Sequence, residues 1–203
     1  MRGINNILFD MGGVLVDISR QSCVDAYLKL GFRDVNSYLG DYGQKGPFLK
    51  IENGELTEQQ FYDAIHAIIP NASNKEIADA FNQFITGLPV YRLELLSLLK
   101  AKGYRLMLLS NTNPIVFEKA KELFTQLGLT INNYFDDIFC SYQIKAIKPD
   151  PQAFQSVIEI SGIVPEETLF IDDSQNNLNA AMAFGFETLL ATDGMDLREK
   201  LLP

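Results

Sequence analysis

An apolar run that ends in a carboxylate and two glycines lies near the N-terminus, where residues 7–17 read ILFDMGGVLVD. A nearly continuous apolar segment of this kind is typical of a strand buried on both faces of a parallel sheet. Asp10 then stands at the carboxyl end of that strand, over the crevice where open α/β sheets bind ligands. Because burial penalises a bare charge, Asp10 needs a hydrogen-bond network, a cation or a reacting electrophile beside it.

Three further strand-like runs also end in polar residues. The polar groups that follow them are Ser110-Asn111-Thr112, Lys148-Pro149-Asp150-Pro151 and Asp172-Asp173-Ser174. Segments with helical spacing separate the runs, and this alternation predicts right-handed βαβ units and a parallel sheet. In such a sheet the ends of the strands converge, so these polar groups are expected in one crevice.

The four motifs, in this order and each at the end of a strand, resemble those of the haloacid dehalogenase (HAD) superfamily. The resemblance covers the core from end to end and implies a Rossmann-like, doubly wound parallel α/β sheet. It also implies a phosphomonoesterase in which Asp10 is the nucleophile and an aspartyl-phosphate is the intermediate. Lys148 would hold Asp10 and a phosphoryl oxygen, while Ser110 and the amide of Asn111 would bind the remaining oxygens.

Mg²⁺ is the cofactor that the resemblance implies, with Asp10, the backbone carbonyl of Gly12 and Asp173 as direct ligands and Asp172 behind them or as an alternate ligand. The residues themselves favour the same ion, because three carboxylates in one crevice repel one another without a hard cation. Gly12 and Gly13 would let the backbone turn sharply and approach the ligand closely.

Several of these residues also have a purely structural interpretation. Lys148 could be a solvated lysine of a loop, and Ser110 could be a turn residue. Asp172-Asp173-Ser174 fits a helix N-cap, although this accounts for only one of the two acids. Asp17 matches an acid often found at the end of the first motif in the superfamily, but capping a turn or the helix that begins near Arg20 is the interpretation we favour from sequence.

Residues 19–89 have a helical texture that interrupts the strand pattern. Thr57 and Ser73 each begin a capping box that is followed by apolar residues at helical spacing. Residues 43–47 and 52–55 have loop composition. The sequence therefore predicts an α/β core formed by residues 1–18 and 90–203, with a helical insertion at residues 19–89. This insertion resembles the helical cap of the HAD superfamily, which implies that it closes over the crevice, excludes water and selects the substrate.

Several residues of the predicted cap were considered for the site. Tyr38, Tyr42 and Phe48 could line a substrate pocket, although aromatics in a helical bundle are usually core. Lys45, near two glycines, is a possible substrate contact. His66 is interpreted as an ordinary surface or core histidine, since nothing beside it completes a metal or catalytic arrangement.

One position departs from the pattern of most phosphatases of the superfamily, because Gly12 occupies the place of a second aspartate that serves as general acid and base. A general acid typically contributes about 10²–10⁴-fold in rate. Some members with an Asp-x-Gly-Asn or Asp-x-Gly-Gly opening resemble sugar-phosphate phosphatases, so a sugar phosphate is the favoured substrate. The alternatives are a metal-independent dehalogenase, a non-catalytic binding or regulatory protein with the same fold, and a phosphomutase.

Composition narrows the range of partners. The chain has 203 residues, 47% of them hydrophobic and 21% charged, and a formal net charge of −9. Without a cluster of basic residues, nucleic acid is not an expected partner, and no apolar run is long enough to cross a bilayer. Two cysteines without metal-ligand spacing fit thiols in a reducing cytoplasm. We expect a cytoplasmic enzyme acting on a small phosphorylated metabolite; its identity and the oligomeric state are not indicated.

Overall fold

The computed structural model describes residues 3–40, 43–192 and 194–202. The strands are β1 (Asn6–Phe9), β2 (Asp17–Ile18), β3 (Ile85–Gly87), β4 (Arg105–Ser110), β5 (Asp137–Cys140), β6 (Thr168–Asp172) and β7 (Glu187–Leu190). The helices are α1 (Arg20–Lys29), α2 (Gly46–Glu52), α3 (Glu58–His66), α4 (Asn74–Asn82), α5 (Val90–Ala101), α6 (Pro114–Leu123), α7 (Ile131–Tyr134), α8 (Ser141–Ile144), α9 (Pro151–Ser161), α10 (Gln175–Met182) and α11 (Leu197–Leu201).

A five-stranded parallel sheet in the order β5-β4-β1-β6-β7 forms the centre of the molecule. β1 lies in the middle, and the side chains of residues 7–9 have no exposed surface. Phe9 is in register with Leu108 of β4 and Ile171 of β6, so these three strands end at the same edge. The predicted doubly wound parallel α/β fold is confirmed, and Asp10, Ser110 and Asp172 meet at that edge.

The helical insertion has an apolar cluster of its own. Residues from 23 to 81 form it, joined by Ile115 and Val116 of α6 from the other side. Phe48 lies at its centre, with ring centroids 5.2 Å from Phe81 and 5.3 Å from both Tyr27 and Phe61. This insertion is the predicted cap, and its division from the core at residues 18/19 and 89/90 stays a prediction.

The connection between the core and the insertion is a short antiparallel pair formed by β2 and β3. The backbone N–H of Ser19 extends the pairing by donating to the carbonyl of Phe84 at 2.8 Å. This pairing was not predicted, because Ile85 also continues the apolar spacing of α4. The helix ends at Asn82, and the chain becomes extended where it returns to the core.

Two local predictions are wrong. Residues 43–47 were expected to be a loop, but α2 begins at Gly46 with a proline in its first turn, and its Phe48 and Ile51 are buried in the cap cluster. Proline suits the first turn of a helix because the missing N–H would have no partner there. Asp17 does not cap α1, since the side chain of Ser19 accepts the N–H of Ser22.

Candidate active site

A cavity of about 430 Å³ lies between the carboxyl edge of the sheet and the cap. The residues that line it from the core include Asp10, Gly12, Ser110, Asn111, Lys148 and Asp173, so the structure brings together six of the residues predicted for the site. The cap contributes mostly apolar side chains, including Leu49, Phe81 and Phe84, together with Arg20, Gln44 and Glu52.

Asp10 lies directly after β1, and its backbone N–H donates to the carbonyl of Ile171 at 2.8 Å. Its Oδ1 accepts the backbone N–H of Met11 at 2.7 Å and lies 2.8 Å from Lys148 Nζ. Among the residues that the structure describes, none donates a hydrogen bond to Oδ2. The carboxylate is therefore held by one oxygen, and the other is available to a metal ion or an electrophile.

Lys148 is a buried cation between two carboxylates, with only 3% of the residue exposed. Nζ lies 2.8 Å from Asp10 Oδ1 and 2.7 Å from Asp172 Oδ2. Although burial opposes its charge, the two carboxylates raise the pKa of Lys148 above its usual value, so the ammonium group stays charged. This geometry agrees with the predicted role of Lys148 and not with a solvated loop lysine.

Asp172 is fully buried and makes several hydrogen bonds besides its pair with Lys148. Its Oδ1 accepts the backbone N–H of Ser174 at 2.8 Å and the side-chain amide of Asn177 at 3.0 Å. A carboxylate engaged in this way orients Lys148. This supports a position of Asp172 behind the predicted metal ligands. Its service as an alternate metal ligand stays a prediction.

Asn111 fixes the loop that carries Lys148. Its side chain accepts the backbone N–H of Lys148 and donates to the carbonyl of the same residue, both at 2.8 Å. The side chain of Asn111 is thus engaged by Lys148, and the contact of its backbone N–H with phosphate stays a prediction. Ser110, with 2% exposure, ends β4 beside it, and its hydroxyl has no hydrogen-bond partner among the described residues.

The group of acids fits a divalent cation. Oxygen atoms of Asp10, Asp172 and Asp173 lie within 4.8 Å of one another. Burial raises the pKa of Asp10 above its usual value, although Lys148 acts in the opposite direction, so a second cation would favour the charged form. Such a set of oxygen donors is what Mg²⁺ prefers.

Gly13 makes the close approach of Asp173 possible. Its φ of +76° lies in the left-handed region, and a Cβ atom there would lie 2.2 Å from Asp173 Oδ2. Any side chain at position 13 would therefore displace that carboxylate. A contact of Gly13 with phosphate stays a prediction, since its evident role is to give Asp173 room.

Sequence reasoning missed several residues that act around the site. Ser141 connects the loop after β4 to the cap: its Oγ accepts the N–H of Thr112 at 3.0 Å and lies 2.6 Å from the carbonyl oxygen of Glu52. Glu52 itself lines the cavity, although its neighbours Asn53 and Gly54 have only loop composition. These contacts join distant segments, so no local pattern could reveal them.

The other candidate residues that the structure describes do not line the cavity. Asp17 pairs with Arg92 at 2.7 Å, and Phe48 is buried in the cap cluster beside Tyr38. Lys45 is an exposed residue that precedes α2 and does not line the cavity described above. His66 contacts Asn74 on the surface of the cap, and Tyr42 lies outside the described residues.

The family model for haloacid dehalogenase-like hydrolases matches residues 4–185. The chain belongs to this family. Within it, the chain is 36% identical over 200 residues to a D-ribitol-5-phosphate phosphatase of Bacteroides thetaiotaomicron, a match that covers 98% of this chain and 97% of the relative. It is 27% identical to a phosphorylated carbohydrates phosphatase of Thermotoga maritima, over 90% of this chain and 82% of the relative.

A solved structure of a HAD family enzyme of Bacteroides thetaiotaomicron, in complex with magnesium and inorganic phosphate, has the same fold with a TM-score of 0.91. It is 35% identical, and the match covers 98% of this chain and 99% of that one. These comparisons confirm the predicted HAD-like hydrolase of the phosphatase class.

Among the described residues, no helix is long and apolar enough to span a membrane.

Proposed function

We propose that this HAD-like phosphatase is a Mg²⁺-dependent enzyme that hydrolyses a small phosphorylated sugar or sugar alcohol through an aspartyl-phosphate on Asp10. The observation that carries the proposal is the arrangement of Asp10 at the floor of the cavity. Lys148 and the N–H of Met11 hold Oδ1, and Oδ2 has no partner among the described residues. Such a carboxylate is oriented and still able to attack.

The chain supplies the parts needed for phosphoryl transfer. Asp10 would attack phosphorus while the bond to the leaving oxygen breaks, and water would then hydrolyse the aspartyl-phosphate to release phosphate. Lys148 and the Ser110 hydroxyl would bind phosphoryl oxygens, together with the backbone N–H of Asn111. Fixed donors stabilise the charge that develops in the transition state, because they need little reorganisation.

The predicted metal ligands fit this chemistry. Asp10, Asp173 and the carbonyl of Gly12 would hold Mg²⁺, which would neutralise charge between the attacking carboxylate and the phosphate. Oxygen atoms of Asp10, Asp172 and Asp173 lie within 4.8 Å of one another, and Lys148 is their one buried counter-ion among the described residues. A dehalogenase that binds no metal would leave the rest of this negative charge unbalanced. We therefore favour the phosphatase.

The size and composition of the cavity support a small substrate. Its volume of about 430 Å³ lies in the range of pockets that bind small molecules. The relatives named above act on a ribitol phosphate and on phosphorylated carbohydrates. We propose a substrate of the same class, with its phosphate on the sheet side and its carbon chain beneath the cap.

The test is phosphate release from a panel of pentose, pentitol and hexose phosphates and from p-nitrophenyl phosphate, each with Mg²⁺ and with EDTA. We expect metal-dependent release that is highest for one of the sugar or sugar alcohol phosphates. The Asp10→Asn variant should lose this activity, because an amide cannot form the aspartyl-phosphate. Release that continues undiminished in EDTA, or in the Asp10→Asn variant, would overturn the proposal.

A further inference from the structure

Hydrolysis of a sugar phosphate requires a proton for the leaving oxygen, and Gly12 supplies none. A Cβ atom at Gly12 would lie 3.3 Å from Cγ2 of Ile18, so an aliphatic side chain lies where a longer residue would extend. An alkoxide is a poor leaving group, and a general acid typically contributes about 10²–10⁴-fold to such a step. The proton therefore has to come from water, from the substrate or from another residue of the cavity.

Three acids, Asp10, Glu52 and Asp173, are among the described residues that line the cavity. These lining residues include no histidine, cysteine or tyrosine. The proposed function already uses Asp10 as nucleophile and Asp173 as metal ligand. Lys148 is held between two carboxylates and stays charged. Glu52 is the acid that remains.

The end of α2, which carries Glu52, is fixed to the core beside the site. Ser141 Oγ lies 2.6 Å from the carbonyl oxygen of Glu52 and accepts the N–H of Thr112, two residues after Ser110. Gly54 adds a second close contact, because a Cβ atom on it would lie 2.3 Å from the carbonyl oxygen of Tyr142. The cap therefore holds Glu52 at a defined place against the wall that carries Ser110.

The side chain of Glu52 has properties that suit a proton donor. No hydrogen bond or ion pair to another described residue engages its carboxyl group. Burial raises the pKa of Glu52 to about 8, which favours the protonated form that a general acid needs. Enzymes commonly tune a glutamate upward in this way when it acts as a general acid.

The geometry points to Glu52 as the catalytic acid and base of this enzyme, supplied by the cap in place of the absent carboxylate at position 12. Asp10 forms a bond to phosphorus, the bond from phosphorus to the ester oxygen breaks, and that oxygen keeps the electron pair and takes the proton of Glu52. Water then attacks phosphorus and gives a proton to the Glu52 carboxylate. The bond between phosphorus and Asp10 breaks, and its electron pair returns to Asp10.

This inference rests on the proposed function, and its test uses the dependence on the leaving group. The measured quantity is kcat/KM in Mg²⁺, which reports the steps up to the first irreversible one, for a sugar phosphate and for p-nitrophenyl phosphate. The variant is Glu52→Gln, which keeps the shape and removes the transferable proton. Glu55→Gln, the same change at an exposed position three residues away, is the control.

We expect Glu52→Gln to lower kcat/KM for the sugar phosphate by about 10²-fold or more, and for p-nitrophenyl phosphate by less than about threefold, since an acidic phenol leaves without a proton. Glu55→Gln should match the natural protein on both substrates. An equal loss on both substrates, or no loss on either, would overturn the role of Glu52.

A second measurement does not depend on the folding of a variant. Across a series of alkyl and substituted phenyl phosphates, kcat/KM of the natural protein should change little with the acidity of the leaving group. A steep dependence would show that no proton is delivered and would overturn the inference. Absence of phosphate release from every ester would instead remove the proposed function itself, and the two failures are therefore distinct.

Discussion

The two walls of the cavity differ in how their polar groups are held. On the sheet side, Lys148 lies between Asp10 and Asp172 at 2.8 and 2.7 Å, and Asn111 fixes its backbone by two hydrogen bonds. On the cap side, the Glu52 carboxyl has no partner among the described residues. We infer that the sheet wall is preorganised for a phosphoryl group, which every substrate carries, and that the Glu52 carboxyl is a cap-side group left for the remainder of the substrate.

The largest expected effect comes from removing the central cation of the sheet wall. Lys148→Met leaves Asp10 and Asp172 without their shared partner, so kcat should fall by about 10³-fold, the upper range for loss of one preorganised electrostatic contact. Steady-state kinetics with a sugar phosphate and with p-nitrophenyl phosphate would measure it. The kcat values for both substrates should fall by a similar factor, because the sheet wall is where the phosphate is proposed to bind.

An exposed lysine provides the control for that change. Lys102→Met, at an exposed position after α5, should leave kcat unchanged. A Lys148→Met enzyme that retains most of its kcat on both substrates would break the distinction between the two walls.

A smaller loss is expected when Lys148 is kept but its support is removed. Asn111→Ala deletes both hydrogen bonds to the backbone of Lys148, and loss of such a supporting contact typically costs about 10–100-fold in activity. The measurement is kcat, with thermal unfolding alongside. Asn133→Ala, which removes the side-chain acceptor for the N–H of Thr130, should cost stability without lowering kcat. Equal kcat values for the two variants would contradict this role of Asn111.

The metal side of the sheet wall is tested at Gly13. Gly13→Ala places a Cβ 2.2 Å from Asp173 Oδ2, so the Mg²⁺ concentration for half-maximal activity should rise about tenfold. Gly128→Ala is the matched control, because its φ of +75° imposes the same backbone strain with no atom within 4 Å of the new Cβ.

Both glycine variants should lose about 1–2 kcal/mol in the free energy of unfolding, measured with urea. If Gly13→Ala loses the same stability but keeps its Mg²⁺ requirement, Asp173 is not a ligand of the metal.

The smallest effect is expected where the cap meets the core. Ser141→Ala leaves the N–H of Thr112 and the carbonyl of Glu52 without this partner, at a cost of about 1–3 kcal/mol in the free energy of unfolding. A looser Glu52 should lower kcat/KM for sugar phosphates about fivefold, with little change for p-nitrophenyl phosphate. Ser97→Ala, whose hydroxyl bonds within α5, is the control. Equal losses on both substrates would mean that Ser141 serves the sheet wall instead.

Most of the sheet wall could be predicted from the sequence because its residues end or directly follow a buried strand. Lys148 is the exception, since the short helix α8 separates it from β5. Asp10, Ser110 and Asp172 come at the ends of β1, β4 and β6, and parallel strands bring such positions to one edge. The alternation of strands and helices therefore indicated both the fold and the crevice. The partnership of Asn111 with the backbone of Lys148 lies beyond this logic, since 37 residues separate them.

The cap wall was less accessible to sequence reasoning. The capping boxes at Thr57 and Ser73 are local signals, and both are confirmed. Glu52 acquires its role through burial and through contacts with Ser141, which lies 89 residues away. Its own neighbours indicate only a loop, and the glycine and proline that begin α2 hide the helix that carries it.

The most direct test of the central account is to identify the phosphorylated residue during turnover. The natural protein, mixed with a saturating sugar phosphate and Mg²⁺ and quenched in acid within one turnover, would be digested and analysed by mass spectrometry. The account predicts the added mass of one phosphoryl group on the peptide that contains Asp10, and none in Asp10→Asn. A phosphoryl group on another residue, with the peptide that contains Asp10 unmodified, would contradict the account.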